Sequence, residues 1–351
     1  MNDKHAETIN QLKIREMPDS HSLKALLSDP DPAVSRALAL AADNIRQKNY
    51  GNKVYIRGLI EFTNYCKNDC YYCGIRHSHA NVSRYRLSPE QILDCCETGY
   101  QLGFRTFVLQ GGEDPYWTDQ RLSDLVAAIR KNFPDCAITL SIGERSRESY
   151  QKLFHAGADR YLLRHETGDS RHYSKLHPDS LTLENRMRCL RDLKEIGFQT
   201  GCGFMVGSPY QTLDCIIEDL RFLMEFHPHM IGIGPFLPAA GTPFESQPAG
   251  SSELTIRLLS VIRLLLPKIL LPATTALGTA EEDGRERGIK AGANVIMPNL
   301  SPKDVRTKYI LYDNKIATGD EAAESVAHLR KSMENIGYQV VAERGDSLEI
   351  Y

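Results

Sequence analysis

No run in this sequence approaches the roughly 20 consecutive apolar residues that a membrane-spanning helix needs, so a membrane protein is not expected. The stretch from Met1 to Gln11 is polar and carries no apolar core of the signal-peptide kind. Neither sign of charge dominates. The 42 basic and 45 acidic side chains leave a net charge of −3, too small a field to draw nucleic acid or anionic lipid. Repeats and low-complexity tracts are missing, which excludes solenoids and disordered tails. Cysteine is limited to nine residues, an odd number in a long chain, and none follows Cys215. That excludes a small disulfide framework and fits reducing surroundings. These absences predict a cytoplasmic, monomeric globular protein acting on small molecules.

What is present is alternation. Short apolar runs start near Val54, Thr106, Ala137, Arg160, Gln199, Met230, Ile269 and Asn294, with helical patterns between them. Ser88-Pro89-Glu90-Gln91 reads as a capping box, and Gly103, Gly157 and Gly197 read as helix stops. Strand-helix alternation predicts parallel pairing, hence an α/β fold of the (β/α)8 TIM-barrel type over residues 52–312. The first strand is expected to run from Val54 to Thr63. The strand near Ile269 is the weakest, because Leu264 to Leu271 could instead extend a helix broken at Pro267; without it, six strands make a partial barrel. Residues 1–51 form a helical lead-in with a breaker at Asp29-Pro30-Asp31-Pro32. Residues 313–351 form an extension packed on the barrel, a helix (Ala322 to Ile336) and a short strand.

Three of the cysteines, Cys66, Cys70 and Cys73, crowd into the loop after the first strand, where barrel enzymes carry their chemistry. A cubane cluster usually takes four cysteines, so three leave one iron open to another ligand. A zinc site would need a fourth ligand such as His77 or His79. The other six, Cys95, Cys96, Cys136, Cys189, Cys202 and Cys215, lie in helix or strand patterns and read as small buried hydrophobes. The spacing Cys-x3-Cys-x2-Cys, with Tyr72 before the third cysteine, resembles the radical S-adenosylmethionine (SAM) signature. The resemblance implies a 4Fe-4S cluster on these cysteines, SAM on the open iron, and a 5′-deoxyadenosyl radical.

Site residues in a barrel stand at the C-terminal ends of its strands. Gly112 and Glu113 follow the second strand as either a plain glycine turn or, by the resemblance, a contact for the SAM amino group. Ser141 ends the third, where its hydroxyl faces a ligand or caps a helix. On the fourth, period 2 puts Arg160, Leu162, Arg164 and Glu166 on one face and His165 on the other. The resemblance gives Glu166 the SAM ribose and Arg186 the SAM carboxylate; otherwise Arg164 and Glu166 form an ion pair and Arg186 is a solvated helical arginine. Tyr72 joins the cofactor set on the same basis. Thr274, Thr275, Met297, Tyr309 and Tyr312 follow the last two strands and either line a chamber or pack.

Across about residues 30 to 312 the chain resembles the HydE family of FeFe-hydrogenase maturases. The likeness rests on Cys73-Gly74-Ile75-Arg76, Gly112-Glu113-Asp114-Pro115-Tyr116, Arg164-His165-Glu166-Thr167, Gly232-Ile233-Gly234-Pro235-Phe236, Pro272-Ala273-Thr274-Thr275-Ala276 and Asn294-Val295-Ile296-Met297-Pro298-Asn299. It implies radical chemistry on a sulfur-containing, cysteine-derived iron complex, in concert with partner maturases and an electron donor. Arg57, Arg160, Arg164, Thr274, Thr275, Met297, Tyr309 and Tyr312 would line the substrate cavity. Some relatives carry a second cluster on C-terminal cysteines that this chain lacks. Biotin synthase has a cluster cysteine where this chain has Gly201, so sulfur insertion is not expected. Methylornithine synthase, a lysine mutase, shares the Gly-Glu-Asp-Pro-Tyr turn and is the alternative; a non-catalytic cluster carrier is another.

Overall fold

The computed structural model describes residues 3–316 and 322–349; the outermost residues of the lead-in and of the extension, and positions 317–321, lie outside that range. Strands form where β-branched and aromatic residues cluster: β1 (Lys53–Ile56), β2 (Gly58–Thr63), β3 (Thr106–Gly111), β4 (Ala137–Ser141), β5 (Arg160–Leu162), β6 (Gln199–Cys202), β7 (Met205–Val206), β8 (Met230–Ile231), β9 (Gly234–Pro235), β10 (Val295–Ile296) and β11 (Gln339–Val341). A parallel sheet runs β2-β3-β4-β5-β6-β8, and β7 pairs with β9 just above it. Single bridges then carry the pairing onward, from Met230 to Leu270, from Pro272 to Val295, and from Asn299 back to Leu59. The ring of a (β/α)8 barrel is thereby complete.

Two expected strands differ from the sequence reading. The run near Ile269 contributes only those bridges at Leu270 and Pro272; prolines at 267 and 272 lack the N–H a ladder needs. The first strand is divided at Arg57. Below it, β1 pairs with β10 and β11; above it, β2 pairs with β3. The extension's strand β11 thus wedges in beside β1 at the base of the barrel.

Successive side chains of each strand alternate between two environments. Ile60, Phe62, Phe107, Leu109, Ile138, Leu140, Tyr161 and Leu163 join the large core beneath the outer helices. Glu61, Gln110, Ser141, Arg160 and Arg164 take the other face and point inward. Cys202 lies with the outer core, and a methyl group on Gly201 would meet Leu162 and Met230 across the interior. All six cysteines outside the triplet are buried.

The lead-in holds three helices, Asp3–Lys13, Ser20–Ser28 and Pro32–Tyr50. The first was hidden by its polar composition, because only Ile9 and Leu12 form its apolar stripe, with His5 and Thr8 buried beside them. Asp19 and Asp31 cap the next two, and Gly51, at φ 64°, ends the third. Ser88 and Gln91 close the capping box read from the sequence.

The base is closed by the segment after β11. Arg160 donates to the carbonyls of Arg344 and Gly345, to Asp346 at 2.7 Å and to Thr106. Gln199 also reaches Asp346, and Ser347 donates to Gln199 and Lys268.

Candidate active site

The three cysteines stand at the opposite, C-terminal end of the strands. Tyr71 donates its backbone N–H to Leu176, Gly74 to Leu311 and Lys67 to Glu113, so three separate βα loops hold the cysteine loop. Gly112 is required there, since a methyl group on it would lie 2.3 Å from the Tyr65 carbonyl oxygen. The thiols are partly buried and free. Burial pushes Cys66 up, Cys70 well above the thiol range and Cys73 up to about 12; Glu113 adds to the shift of Cys66, and neighbouring sulfurs add to those of Cys70 and Cys73. Such thiols become ligands only when a metal's charge compensates them. Among the described residues no three His, Cys, Asp or Glu side chains converge on one point as a single zinc ion would require. A cubane instead presents separate corners to separate thiolates, which suits this loop.

Around the mouth the structure leaves polar atoms without partners. Glu166 Oε2, Arg164 Nε and Thr274 Oγ1 are buried and make no hydrogen bond. The 3.8 Å between Arg164 Nε and Glu166 Oε2 is a charge contact too long for a hydrogen bond. A buried group left unpaired costs about 1–3 kcal/mol, and three together mark a place prepared for a polar ligand. Glu166 is also held in the left-handed backbone region at φ 66°, a conformation that costs a non-glycine residue about 1–3 kcal/mol and clusters at ligand sites.

That turn is pinned from behind. His165 is fully buried; its Nδ1 accepts from Gly203 N–H at 3.2 Å, so the proton sits on Nε2 and donates to Asp219. Gly203 in turn accepts the Glu166 N–H. The sequence placed His165 on the far face but gave it no partner, because Asp219 lies more than fifty residues on, in the helix Leu213–Phe226.

Arg186 is buried, with Nε 2.5 Å from Glu144 Oε1 and Nη1 donating to the Arg164 carbonyl. It is therefore neither solvated nor paired with Glu166. Glu144 escaped the sequence reading, as a lone glutamate after β4 carries no motif. Glu113 accepts from the Glu144 N–H and pairs with Lys67 at 3.2 Å. An open cleft of about 430 Å³ runs from Lys67 past Glu113 and Glu144 to Arg145. Ser141 sits beside Gln110 in register at the end of β4.

The Tyr72 hydroxyl meets His177 Nε2 at 3.2 Å. Burial, helped by Arg186, depresses His177 to about 3, so its ring is neutral. Tyr309 is buried against Gln110, Tyr312 is half-buried near Thr279, and Thr275 begins the helix Thr275–Ala280. Met297 packs lower down with Met230, Leu270 and Val295. Arg57 is fully buried near the base, 2.6 Å from Met230 Sδ, and its Nε and Nη2 have no partners. The structure thus brings Tyr72, Arg164, Glu166, Arg186 and Thr274 to the mouth. Arg57 and Arg160 lie at the base.

A family model described as the radical SAM superfamily matches residues 60–223. The chain is 44% identical over 331 residues to the [FeFe] hydrogenase maturase subunit HydE of Thermotoga maritima, covering 94% of each protein. The chain belongs to the HydE family of radical SAM enzymes. It therefore cleaves SAM reductively, with a 4Fe-4S cluster and SAM as its cofactors. A 3-methylornithine synthase of Methanosarcina acetivorans is 30% identical, covering 90% of this chain and 89% of its own length. The crystal structure of methylornithine synthase (PylB) superposes with a TM-score of 0.83 at 28% identity, over 95% of this chain and 97% of that one. The barrel of these HydE-family residues is thus shared, and among the described residues no helix is long and apolar enough to cross a membrane.

Proposed function

We propose that this chain works as a HydE-type maturase, acting in assembly of the FeFe-hydrogenase active-site cluster on a sulfur-containing, cysteine-derived iron complex. The observation that carries the reading is the unpartnered set at the mouth, Glu166 Oε2, Arg164 Nε and Thr274 Oγ1, with Glu166 near enough to Cys70 to act on it electrostatically. The 44% identity to a HydE protein supports it.

Cys66, Cys70 and Cys73 hold the cluster in this reading, and the bound cluster and SAM supply a 5′-deoxyadenosyl radical. The remaining work is done by side chains. Glu166 accepts from the ribose hydroxyls, its carboxylate already aimed by the left-handed turn. Arg186 keeps Glu144 on one side and offers its remaining N–H groups to the SAM carboxylate. Tyr72, Gly112, Glu113 and Ser141 complete the wall around SAM. The closed base and the buried strands exclude water from the radical. Arg57, Thr275, Met297, Tyr309 and Tyr312 surround the substrate with Arg164 and Thr274, while Arg160, bonded to Thr106, Arg344, Gly345 and Asp346, serves the base instead. The protein acts as a cytoplasmic monomer, receiving its substrate from a partner maturase and its electron from a separate donor.

The test is product analysis with reconstituted, reduced protein and SAM. Cysteine-derived thioethers or thiazolidines should yield adducts joining the adenosyl C5′ to sulfur. If sulfur compounds give only uncoupled 5′-deoxyadenosine while lysine yields methylornithine, the chain is a mutase like its 30% identical relative. A protein that forms no 5′-deoxyadenosine at all would be a cluster carrier.

A further inference from the structure

The barrel contains an ion pair apart from the residues assigned to the cluster and SAM. Glu61 lies in the middle of β2 with its side chain inward, between the outward-facing Ile60 and Phe62. Its side chain is 1% exposed, and it forms a salt bridge with Lys315, whose side chain is 7% exposed. Glu61 is bolted down. Its N–H donates to Ser301 Oγ at 2.7 Å, its carbonyl accepts from the Tyr85 hydroxyl, and Oε2 accepts from Asn299 at 2.8 Å. Lys315 is held far less. It comes from an irregular segment, and among the described residues its other hydrogen bond is to the Tyr309 carbonyl. The pair is tied to the mouth end of the strands, since Glu61 stands in register with Gln110 near the end of β3, Gln110 donates to the Tyr309 hydroxyl, and Lys315 reaches the Tyr309 carbonyl.

We infer that Glu61 and Lys315 are the two ends of a clamp for the zwitterionic head of an α-amino acid or amino-acid-derived ligand. The inference deepens the proposed function and rests on its chamber being the substrate site. The reasoning is charge conservation in a dry interior. A buried charge that loses its partner is strongly unfavourable. A simple anion could take Lys315 only by abandoning Glu61, and a simple amine could take Glu61 only by abandoning Lys315. A zwitterion satisfies both, its ammonium on Glu61 and its carboxylate on Lys315, so one ion pair becomes two and the net charge stays at zero. Fixed Glu61 sets the position of the ammonium, while the four-carbon stem of Lys315 adjusts to the carboxylate.

The experiment uses cluster-reconstituted, SAM-loaded protein and calorimetric binding of three probes: S-methyl-L-cysteine, its deaminated analogue 3-(methylthio)propanoate and its decarboxylated analogue 2-(methylthio)ethylamine. The wild type should bind the amino acid at least tenfold more tightly than either analogue. In Lys315→Met the amino acid and the decarboxylated analogue should become equal, and in Glu61→Gln the amino acid and the deaminated analogue should. Each single variant strands a buried charge, so the doubly neutral Glu61→Gln/Lys315→Met protein guards against misfolding and should lose both preferences together. SAM affinity should hold within twofold in all three. Discrimination that survives in the double variant, or its absence in the wild type, overturns the clamp. If lysine and its deaminated and decarboxylated analogues show the pattern and the sulfur compounds do not, the clamp stands and the maturase reading falls.

Discussion

Arg160 and Arg164 lie four residues apart, inward-facing at opposite ends of the same strand and its extension, and they teach what separates a structural cation from a binding one. Arg160 is enclosed at the base, with Thr106, two backbone carbonyls and Asp346 around its guanidinium. Arg164 reaches the Phe204 carbonyl with Nη2 and leaves Nε buried without a partner. The next inward residue, Glu166, sits in a left-handed turn that only its surroundings enforce. Arg160 has spent its polar groups on closing the barrel, whereas Arg164 and Glu166 at the mouth keep some in reserve.

The sharpest way to test that division is at the cysteines. Cys70→Ala should drop iron from about four atoms per chain to background and abolish 5′-deoxyadenosine formation, while circular dichroism stays that of the wild type. A retained cluster would mean that the ligands lie elsewhere. Next in size, Glu166→Ala and Arg186→Ala should each weaken SAM binding by about 1.5–3 kcal/mol, the loss expected of a charge-assisted hydrogen bond. Unchanged SAM affinity in both would make the mouth as structural as the base.

The base should answer in the opposite way. Arg160→Met should lower unfolding free energy by about 1–3 kcal/mol, since it strands carbonyls and a carboxylate, and leave SAM affinity alone. Its pH dependence carries a sign. Burial works against ionised Asp346, but the charge and hydrogen bond of Arg160, together with the Gln199 hydrogen bond and the Arg344 charge, outweigh it and hold the carboxyl at about 2 against an ordinary 3.8. A depressed carboxyl stabilises fully above its unfolded value and loses that contribution as pH falls toward its folded one. The stability gap between wild type and variant should therefore be widest above about pH 4 and narrow on descent to about pH 2, as read by denaturant titration. The smallest effect belongs to Tyr72→Phe. Among the described residues its hydroxyl bonds a neutral His177, so SAM affinity should fall by no more than about 0.5–1.5 kcal/mol; a larger loss would place the hydroxyl on the ligand.

The sequence disclosed those parts of the molecule whose physics is local. Cysteine spacing, the Ser88 capping box and the alternation of β5 are each written within a few residues. Parallel strands were legible because helices separate them. The division of the first strand at Arg57 was not, because it is imposed by β11 arriving from the far end of the chain. The same limit hid Glu61, whose mid-strand carboxylate broke the apolar pattern and was a signal, but whose partner Lys315 stands in an irregular segment without any motif. Asp219 behind His165 and Glu144 beside Arg186 are likewise contacts between distant segments.

The wedge of β11 also sets a timetable. β1 emerges early in synthesis, yet the neighbour that fixes it at the base, and the Arg344-to-Asp346 segment that satisfies Arg160, follow only after nearly all of the barrel has been made. Pairings between such distant segments are slow to form, since a long loop must close before they reward it. A nascent chain therefore carries a barrel open at the bottom, with Arg57 and Arg160 still wet, until that segment has left the ribosome. Closure of the radical chamber in this way waits until residues 339–346 have been made, and a chain stalled before residue 339 would be a vessel with no floor.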